Sequence, residues 1–246
     1  MAHHFRFLAD HCEAGQWTMR SEEWHHLLSV LRLPVGAEFE LTNGKGWVAH
    51  AKLTAISKQV GCFEVLDQTY SPELPAGSRF ILAIGALRPQ SVDDLLPYLI
   101  ELGVDAIEIF SFQGMDKNRL QDKVCERWDR ILTAAMKQCK RAWAPQISWS
   151  TSFEALIQKA EAWPNRLYLD PYGDQSLATW RPAFLGPTVA VIGSERGLEE
   201  AEIQTLKNHE FKSCRIEGAI LRATTAAIAT AVLLRHSLPL NSREEC

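Results

Sequence analysis

Long apolar runs, paired cysteines and the common nucleotide-binding signatures are all missing from this chain of 246 residues. No apolar stretch approaches the ~20 residues that a membrane-spanning helix needs, so no helical membrane protein is expected. The first fifteen residues, with His3, His4, Arg6, Asp10, His11 and Glu13, hold no apolar signal core, which predicts a cytoplasmic protein. The cysteines, at 12, 62, 125, 139, 214 and 246, include no C-x-x-C pair. Neither a disulfide framework nor a zinc site is therefore expected, and the thiols are read as reduced and mostly buried. His25 and His26 are adjacent, so a helix cannot aim both at one metal, and no metal is expected. The chain has no G-x-x-x-x-G-K-[ST], which excludes a P-loop enzyme. It also lacks G-x-G-x-x-G and G-x-S-x-G, leaving a dinucleotide site or a nucleophile elbow without support.

What is present is ordinary globular composition with uneven charge. Apolar residues make up 46% and charged residues 23%, the balance of a chain that buries a core. The formal net charge is −4, which argues weakly against a nucleic-acid partner. Its distribution argues the other way. Residues 117 to 141 hold eight Lys/Arg against three acids, a local +5, while the other 18 basic and 27 acidic residues carry −9. Segregation of that kind builds a steering surface.

Two organisations follow each other along the chain. Residues 1 to 72 read as a β-rich unit, with strands over 4–8, 39–41, 48–56 and 62–66. A helix over 21–31 opens on Ser21, Glu22 and Glu23, and Asn43 to Gly46 forms a hairpin turn. Residues 70–77, rich in proline and glycine, read as a linker. From Arg79 strands and helices alternate, the rhythm of a parallel α/β sheet. Strands are expected at 80–84, 106–110, 167–169, 188–192 and 211–216. Helices are expected at 89–102, 121–140, 153–161, 199–208 and 223–236. The last is apolar nearly all round (Ala227, Ile228, Ala231, Val232, Leu233, Leu234), so it needs cover on several sides, including from a partner subunit.

The most informative segment runs from Val189 through Ile192, Gly193, Ser194, Glu195, Arg196 and Gly197 to Leu198. A second, Ile220-Leu221-Arg222 followed by Thr225 and Ala226, opens the apolar helix. Two such strand-end turns side by side can form a pocket of backbone N–H and C=O groups at the carboxyl edge of a sheet, as open α/β sheets do for nucleoside-like ligands. On the 121–140 helix, Val124, Trp128, Ile131, Ala135 and Cys139 form one stripe and Lys123, Arg127, Arg130, Lys137 and Arg141 another. The second is either a solvated face or a ridge that tracks phosphates. In the N-terminal unit, Phe5, Phe7, Trp24 and Trp47 beside Arg6, His26, Arg32 and Lys45 either fill a small barrel or stack on single-stranded RNA.

Taken in order, these motifs resemble the RsmE family, the 16S rRNA uridine-N3 methyltransferases of the knotted SPOUT class. The resemblance rests on Arg6-Phe7, on His26 through Gly36, on Asn43 to Gly46 and on Ile100-Glu101-Leu102-Gly103-Val104. Further along, Gln138 to Arg141 with Pro145 and Ile147, the Ile192–Leu198 loop with Glu202 and Ile203, and Ile220 to Ala226 carry it. It implies an α/β fold, a PUA-like RNA-binding barrel over 1–72 and a SPOUT trefoil-knot methyltransferase domain over 73–246. It also implies a homodimer, S-adenosylmethionine as donor and 16S rRNA of the small ribosomal subunit as partner, with no membrane and no metal.

The donor pocket implied by the resemblance takes Leu169, Asp170, Pro171, Ile192, Gly193, Ser194, Glu195, Gly197, Ile216, Leu221 and Arg222. Arg222 is the expected stabiliser of charge on the target base and Glu195 an expected positioning carboxylate. Arg6, Arg32, Arg88, Lys137 and Arg141 are the expected phosphate contacts. The chain departs from the family at Tyr98, Ser194, Arg196, Glu217, Ala219, Ala223 and Thr224. At Arg196, where the family has glycine, a positive φ would cost roughly 1–2 kcal/mol. Two other functions stay open on these departures: an RNA-binding relative that has lost the donor, and a methyltransferase with another RNA target.

Overall fold

The computed structural model describes residues 5–9, 15–19, 22–25, 27, 31–56, 61–110 and 119–238. The chain divides into two compact units, residues 1–73 with 133–144, and residues 74–132 with 145–246.

The first unit is built on strands β1 (Arg6–Leu8), β2 (Gly15–Met19), β3 (Glu38–Thr42), β4 (Trp47–Ile56) and β5 (Gly61–Tyr70), with the single-turn helix α1 (Glu22–His25). They form one sheet in the order β1-β3-β4-β5-β2, antiparallel except for the β1–β3 pair. Alternation along β3 and β4 sends Phe39, Leu41, Ala49, Ala51 and Leu53 into one core with Phe7 and Phe63. Phe39 meets Phe7 and Phe63 edge-on, at 5.5 and 5.9 Å between ring centres, the arrangement that aligns positive ring edge with negative ring face. The aromatics therefore divide. Phe7 fills the core, whereas Phe5 and Trp47 are exposed, Trp47 lying 5.1 Å from Tyr70.

The hairpin at 43–46 forms as its residues predict, with Asn43 Oδ1 accepting from the N–H groups of Lys45 (2.8 Å) and Trp47 (3.2 Å). Two expectations need correction. The 70–77 stretch is no linker throughout, because β5 runs to Tyr70 and residues 76–78 form a 3-10 turn. Strand β2 carried no alternation strong enough to be expected. Of the helix expected at 21–31, residues 22–25 are helical, and 21, 26 and 28–30 lie outside the described residues.

The second unit is a three-layer α/β structure. Its strands are β6 (Phe80–Gly85), β7 (Ala106–Phe110), β8 (Gln146–Ser150), β9 (Asn165–Leu169), β10 (Gln175–Ser176), β11 (Thr188–Ile192) and β12 (Lys212–Arg215). All seven pair in parallel in the order β10-β12-β9-β11-β6-β7-β8. Every residue of β6 and β11 is buried, as two-sided cover by helices demands. Its helices are α2 (Pro89–Glu101), α4 (Phe153–Ala160), α5 (Glu200–Asn208) and α6 (Ala223–Ser237), and α3 (Arg119–Gln138) belongs to it through Leu132 and to the first unit from Thr133. Helices α4 and α5 close one face through Phe153, Leu156, Ile157 and Leu206. On the other, α6 packs against β6, β11 and α2. Strand β8 and the two-residue β10 were not expected from sequence.

To reach that position the chain leaving β12 must travel back past β9 and β11. Helix α2 stops where Gly103 takes φ +84°, and α3 stops where Lys140 takes φ +61° and the Arg141 N–H reaches back to the Met136 carbonyl at 3.1 Å. On α3 the buried positions are Trp128, Leu132, Ala135 and Met136, while Val124, Ile131 and Cys139 are only half-buried. The stripe is thus rotated by about one residue from the expected one, with Leu132 and Met136 in the core and Ile131 and Cys139 at its edge. Of the described thiols, only Cys214 is buried, a correction to the expectation that most are. That burial pushes its pKa up to about 11.

Candidate functional site

Three strand ends of the second unit converge. The loops after β9 (170–174), β11 (193–199) and β12 (216–222) line a cleft of about 480 Å³. That volume falls within the range of small-ligand sites, and the place is where open α/β sheets bind ligands.

Gly193 makes the middle loop possible. A Cβ there would lie 2.2 Å from the Gly197 carbonyl carbon and 2.5 Å from the Leu198 nitrogen. A side chain on Gly85, at the end of β6, would meet the Ser194 nitrogen at 2.5 Å. Backbone therefore packs on backbone, and the loop's N–H and C=O groups stay at the cleft wall. Ser194 to Gly197 is a tight turn, with the Gly197 N–H donating to the Ser194 carbonyl at 2.9 Å and Gly197 at φ +86°. The left-handed position falls on the glycine. Arg196 is not among the non-glycine residues with positive φ (Arg32, Lys140 and Glu210), so the strain expected at Arg196 does not exist.

The two carboxylates lining the cleft are both engaged. Asp170 Oδ1 accepts from the Tyr172 N–H at 2.8 Å, fixing the turn after β9. Glu195 Oε1 accepts from the Arg88 N–H at 3.1 Å, at the start of α2, so the loop after β11 is tied to the loop after β6. The Arg88 guanidinium lies 3.7 Å from the same oxygen and is 84% exposed. Glu195 is thus an anchor whose carboxylate also sits at a helix N-terminus, where negative charge is favoured.

Arg222 caps the start of α6 with its carbonyl, lies exposed at the cleft, and has no ion pair with a described residue. Glu217 does not line the cleft. The Ser176 hydroxyl bonds its carboxyl and, with backbone and Arg215 help, holds it below the ordinary glutamate range, 3.7 Å from Arg215. Arg196 does line the cleft, which stays open beside it.

All eleven expected pocket residues, Leu169, Asp170, Pro171, Ile192, Gly193, Ser194, Glu195, Gly197, Ile216, Leu221 and Arg222, meet in this one cleft. Of the expected phosphate contacts, Arg6, Arg32, Lys137 and Arg141 belong to the first unit and Arg88 to the second. In the first unit Arg6 bonds Glu40 at 2.8 Å and the Arg141 carbonyl at 3.3 Å, and its side chain is 7% exposed. It is a buried structural ion pair. Lys137 is paired with Glu23, Arg141 is half-buried and Arg32 is exposed. In the second unit Arg127 is paired with the buried Asp93. The expected cationic ridge on α3 is therefore partly neutralised. Sequence reading missed Gly85 behind the loop, and Tyr172 and Ile203 in the cleft wall. The proline-tyrosine-glycine turn after β9 pointed toward Tyr172, whereas no local signal marks Ile203.

A parallel sheet with a ligand-sized cleft at its C-terminal strand ends in one unit, and a small mixed sheet in the other, is the two-part architecture of a SPOUT RNA methyltransferase. Residues 73–235 match the profile of the RNA methyltransferase domain and residues 20–60 that of the RNA methyltransferase PUA domain. The chain belongs to this RNA methyltransferase family, in its RsmE branch. It is 26% identical over 230 residues to the ribosomal RNA small subunit methyltransferase E of Bacillus subtilis, covering 88% of both chains. It is 28% identical over 214 residues to the protein of that name from Synechocystis, covering 85% of this chain and 69% of the relative. Its fold matches the Neisseria gonorrhoeae ribosomal RNA small subunit methyltransferase E bound to S-adenosylmethionine, with a TM-score of 0.82, 22% identity, and 95% and 98% of the two chains covered. A Legionella pneumophila methyltransferase in complex with the same molecule gives a TM-score of 0.82 at 21% identity, covering 97% and 100%.

Proposed function

We propose that this protein transfers a methyl group from S-adenosylmethionine to N3 of a uridine in 16S rRNA of the small ribosomal subunit. The observation that carries the reading is the open cleft, in which every pocket residue expected of the family comes together despite the substitutions.

The cleft fits the donor by chemistry. Leu169, Ile192, Ile203, Ile216 and Leu221 supply apolar walls for a purine, and backbone polar groups at the strand ends supply its hydrogen bonds. Gly193 and Gly85 let that backbone come close. Arg196 and Arg222 offset Asp170 and Glu195 in the lining. When bound, the donor supplies an electrophilic methyl on a sulfonium.

The chain's own residues then align and polarise the acceptor. Alignment of two bound reactants removes much of the entropic barrier. As N3 of uracil gives up its proton, negative charge spreads onto the flanking carbonyl oxygens, and the guanidinium of Arg222, an exposed residue of the lining, stabilises that charge. Both cleft carboxylates are held in place by backbone N–H groups, and the proton leaves to solvent water. Glu195 acts by positioning the loop. Arg88, 84% exposed at the start of α2, holds RNA beside the cleft.

The N-terminal unit, with Phe5, Trp47 and Arg32 exposed, serves as the RNA-binding module. A second copy of the chain covers the α2–α6 face, where Tyr98 and Val232 are exposed. Ribosomal RNA as substrate places the protein in the cytoplasm; among the described residues no helix is long and apolar enough to cross a membrane.

Calorimetric titration with S-adenosylmethionine and nucleoside mass spectrometry of treated rRNA test the reading. Donor binding and a new N3-methyluridine signal are expected. RNA affinity without donor binding would instead identify an RNA-binding relative that has lost the donor, and methylation of another nucleoside would identify a different target.

A further inference from the structure

The second unit carries another concavity, at the opposite end of β9 and β12 from the cleft, on the order of 13 Å away along the strands at ~3.3 Å per residue. Its volume is about 690 Å³, and Arg166, Arg181, Lys207 and Lys212 line it with Glu210 as the one carboxylate in the lining. That is four cations against one anion in a chain whose net charge is −4. The cleft, by contrast, balances two against two (Asp170 and Glu195, Arg196 and Arg222).

The cations are not equally free. Arg166 lies 5.8 Å above the Phe211 ring and 3.7 Å from Glu210. One terminal nitrogen of Arg181 donates to the Ala178 and Trp180 carbonyls and to Ser237. Lys207, in the last turn of α5, and Lys212, at the start of β12, are exposed and make no ion pair with a described residue.

Beside these lysines a lip is held out into solvent. Phe184 is 65% exposed and Leu185 97%. Their backbone is nevertheless fixed, because the buried Asn165 commits its whole amide to it. Its Nδ2 donates to the Phe184 and Gly186 carbonyls at 2.9 and 3.2 Å, and its Oδ1 accepts from the Ala183 and Phe184 N–H groups at 3.0 Å each. A core side chain with full hydrogen-bonding capacity thus holds an aromatic ring in water. Water alone would favour the opposite arrangement. A preorganised aromatic next to unpaired cations is the composition of a single-strand nucleic-acid platform, where bases stack and lysines meet phosphates.

We propose that this groove is a second RNA-contact site, taking a short single-stranded segment with its phosphates at Lys207, Lys212 and Arg181 and a base on Phe184. It rests on the ribosomal-RNA reading of the cleft and adds an anchor remote from the reacting base. An anchor of that kind contributes binding energy equally to ground and transition states, so it acts on KM for RNA and leaves kcat alone.

The test uses the full chain and a fluorescently labelled single-stranded RNA oligonucleotide, with anisotropy read across a salt series. K207A/K212A removes two phosphate contacts and is expected to flatten the plot of log affinity against log salt by about 1.4 units. F184A is expected to weaken binding roughly tenfold with the slope unchanged. Both variants keep wild-type donor affinity by calorimetry and wild-type circular dichroism, and both raise KM for rRNA without lowering kcat. If both bind RNA with wild-type affinity and slope while methylation persists, the groove assignment fails and the cleft reading stands. If wild-type protein binds the donor but neither binds nor methylates RNA, the failure lies in the parent reading. An unchanged RNA slope with loss of binding to a labelled poly-glutamate peptide would overturn the RNA assignment in favour of an acidic polypeptide.

Discussion

Gly193 carries the tightest constraint in the cleft, because any side chain there strikes the Gly197–Leu198 backbone rather than a movable side chain. Gly193→Ala is expected to displace the loop and lower donor affinity at least tenfold by calorimetry, with the fold retained. Arg222 and Glu195 separate into different roles. Arg222→Ala removes a transition-state donor, so kcat is expected to fall roughly 10²- to 10³-fold with donor affinity nearly unchanged. Glu195→Gln keeps an oxygen for the Arg88 N–H, so single-turnover rates are expected to change less than tenfold; a loss matching that of Arg222→Ala would show that Glu195 acts in the chemistry itself. Glu40 makes the pH argument. Burial raises its pKa, but the Lys140 bond and the Arg6 charge outweigh burial and leave it below 4.5. Its stabilising effect is therefore full above 4.5 and lost as pH falls through the lowered folded value. Thermal melts of Glu40→Gln against wild type are expected to differ most at neutral pH and to converge in acid.

Among the elements, α5 opens with a reciprocal cap in which the Glu202 carboxylate accepts from the Glu199 N–H at 2.8 Å. Burial, with the Glu199 and Glu154 charges adding to it, raises the Glu202 pKa despite that bond, so ionising Glu202 costs stability at neutral pH. A carboxyl with a raised folded pKa contributes fully below its unfolded value and less as pH rises. Glu202→Gln keeps the acceptor and sheds the charge, so its melting temperature is expected to exceed wild type at pH 7, with the gain gone below pH 4.5. The same scale shows what the sequence made legible. Strands β6, β7 and β11 are short apolar runs bounded by turn residues, and they stand within a residue of their expected limits. Strand β8 was not expected although Gln146-Ile147-Ser148-Trp149-Ser150 alternates as a strand does, and the reason for its polar positions lies in another strand. Ser148 and Ser150 turn toward the buried Glu108 of β7, which Lys159 also reaches. Nothing local to either segment announces that pairing. The cleft was legible for a different reason, since its residues lie in three contiguous loops that keep Asp170, Gly193, Glu195, Gly197 and Arg222. The groove beyond β12 was not, because Asn165, Phe184 and Lys212 meet only after folding.

For the whole molecule, a net charge of −4 does not forbid an RNA partner, because the groove concentrates cations that the average conceals. The α2–α6 face poses the assembly question. Val232→Glu on that exposed face is expected to convert a dimer to a monomer by light scattering, and a wild-type chain that is already monomeric would remove the dimer from the account. The most direct test of the central claim is nucleoside mass spectrometry of unmodified small-subunit rRNA incubated with the protein and isotopically labelled S-adenosylmethionine. The account predicts a labelled methyl on N3 of uridine that disappears with Gly193→Ala. Labelled donor bound in the cleft with no label reaching any rRNA nucleoside would contradict it.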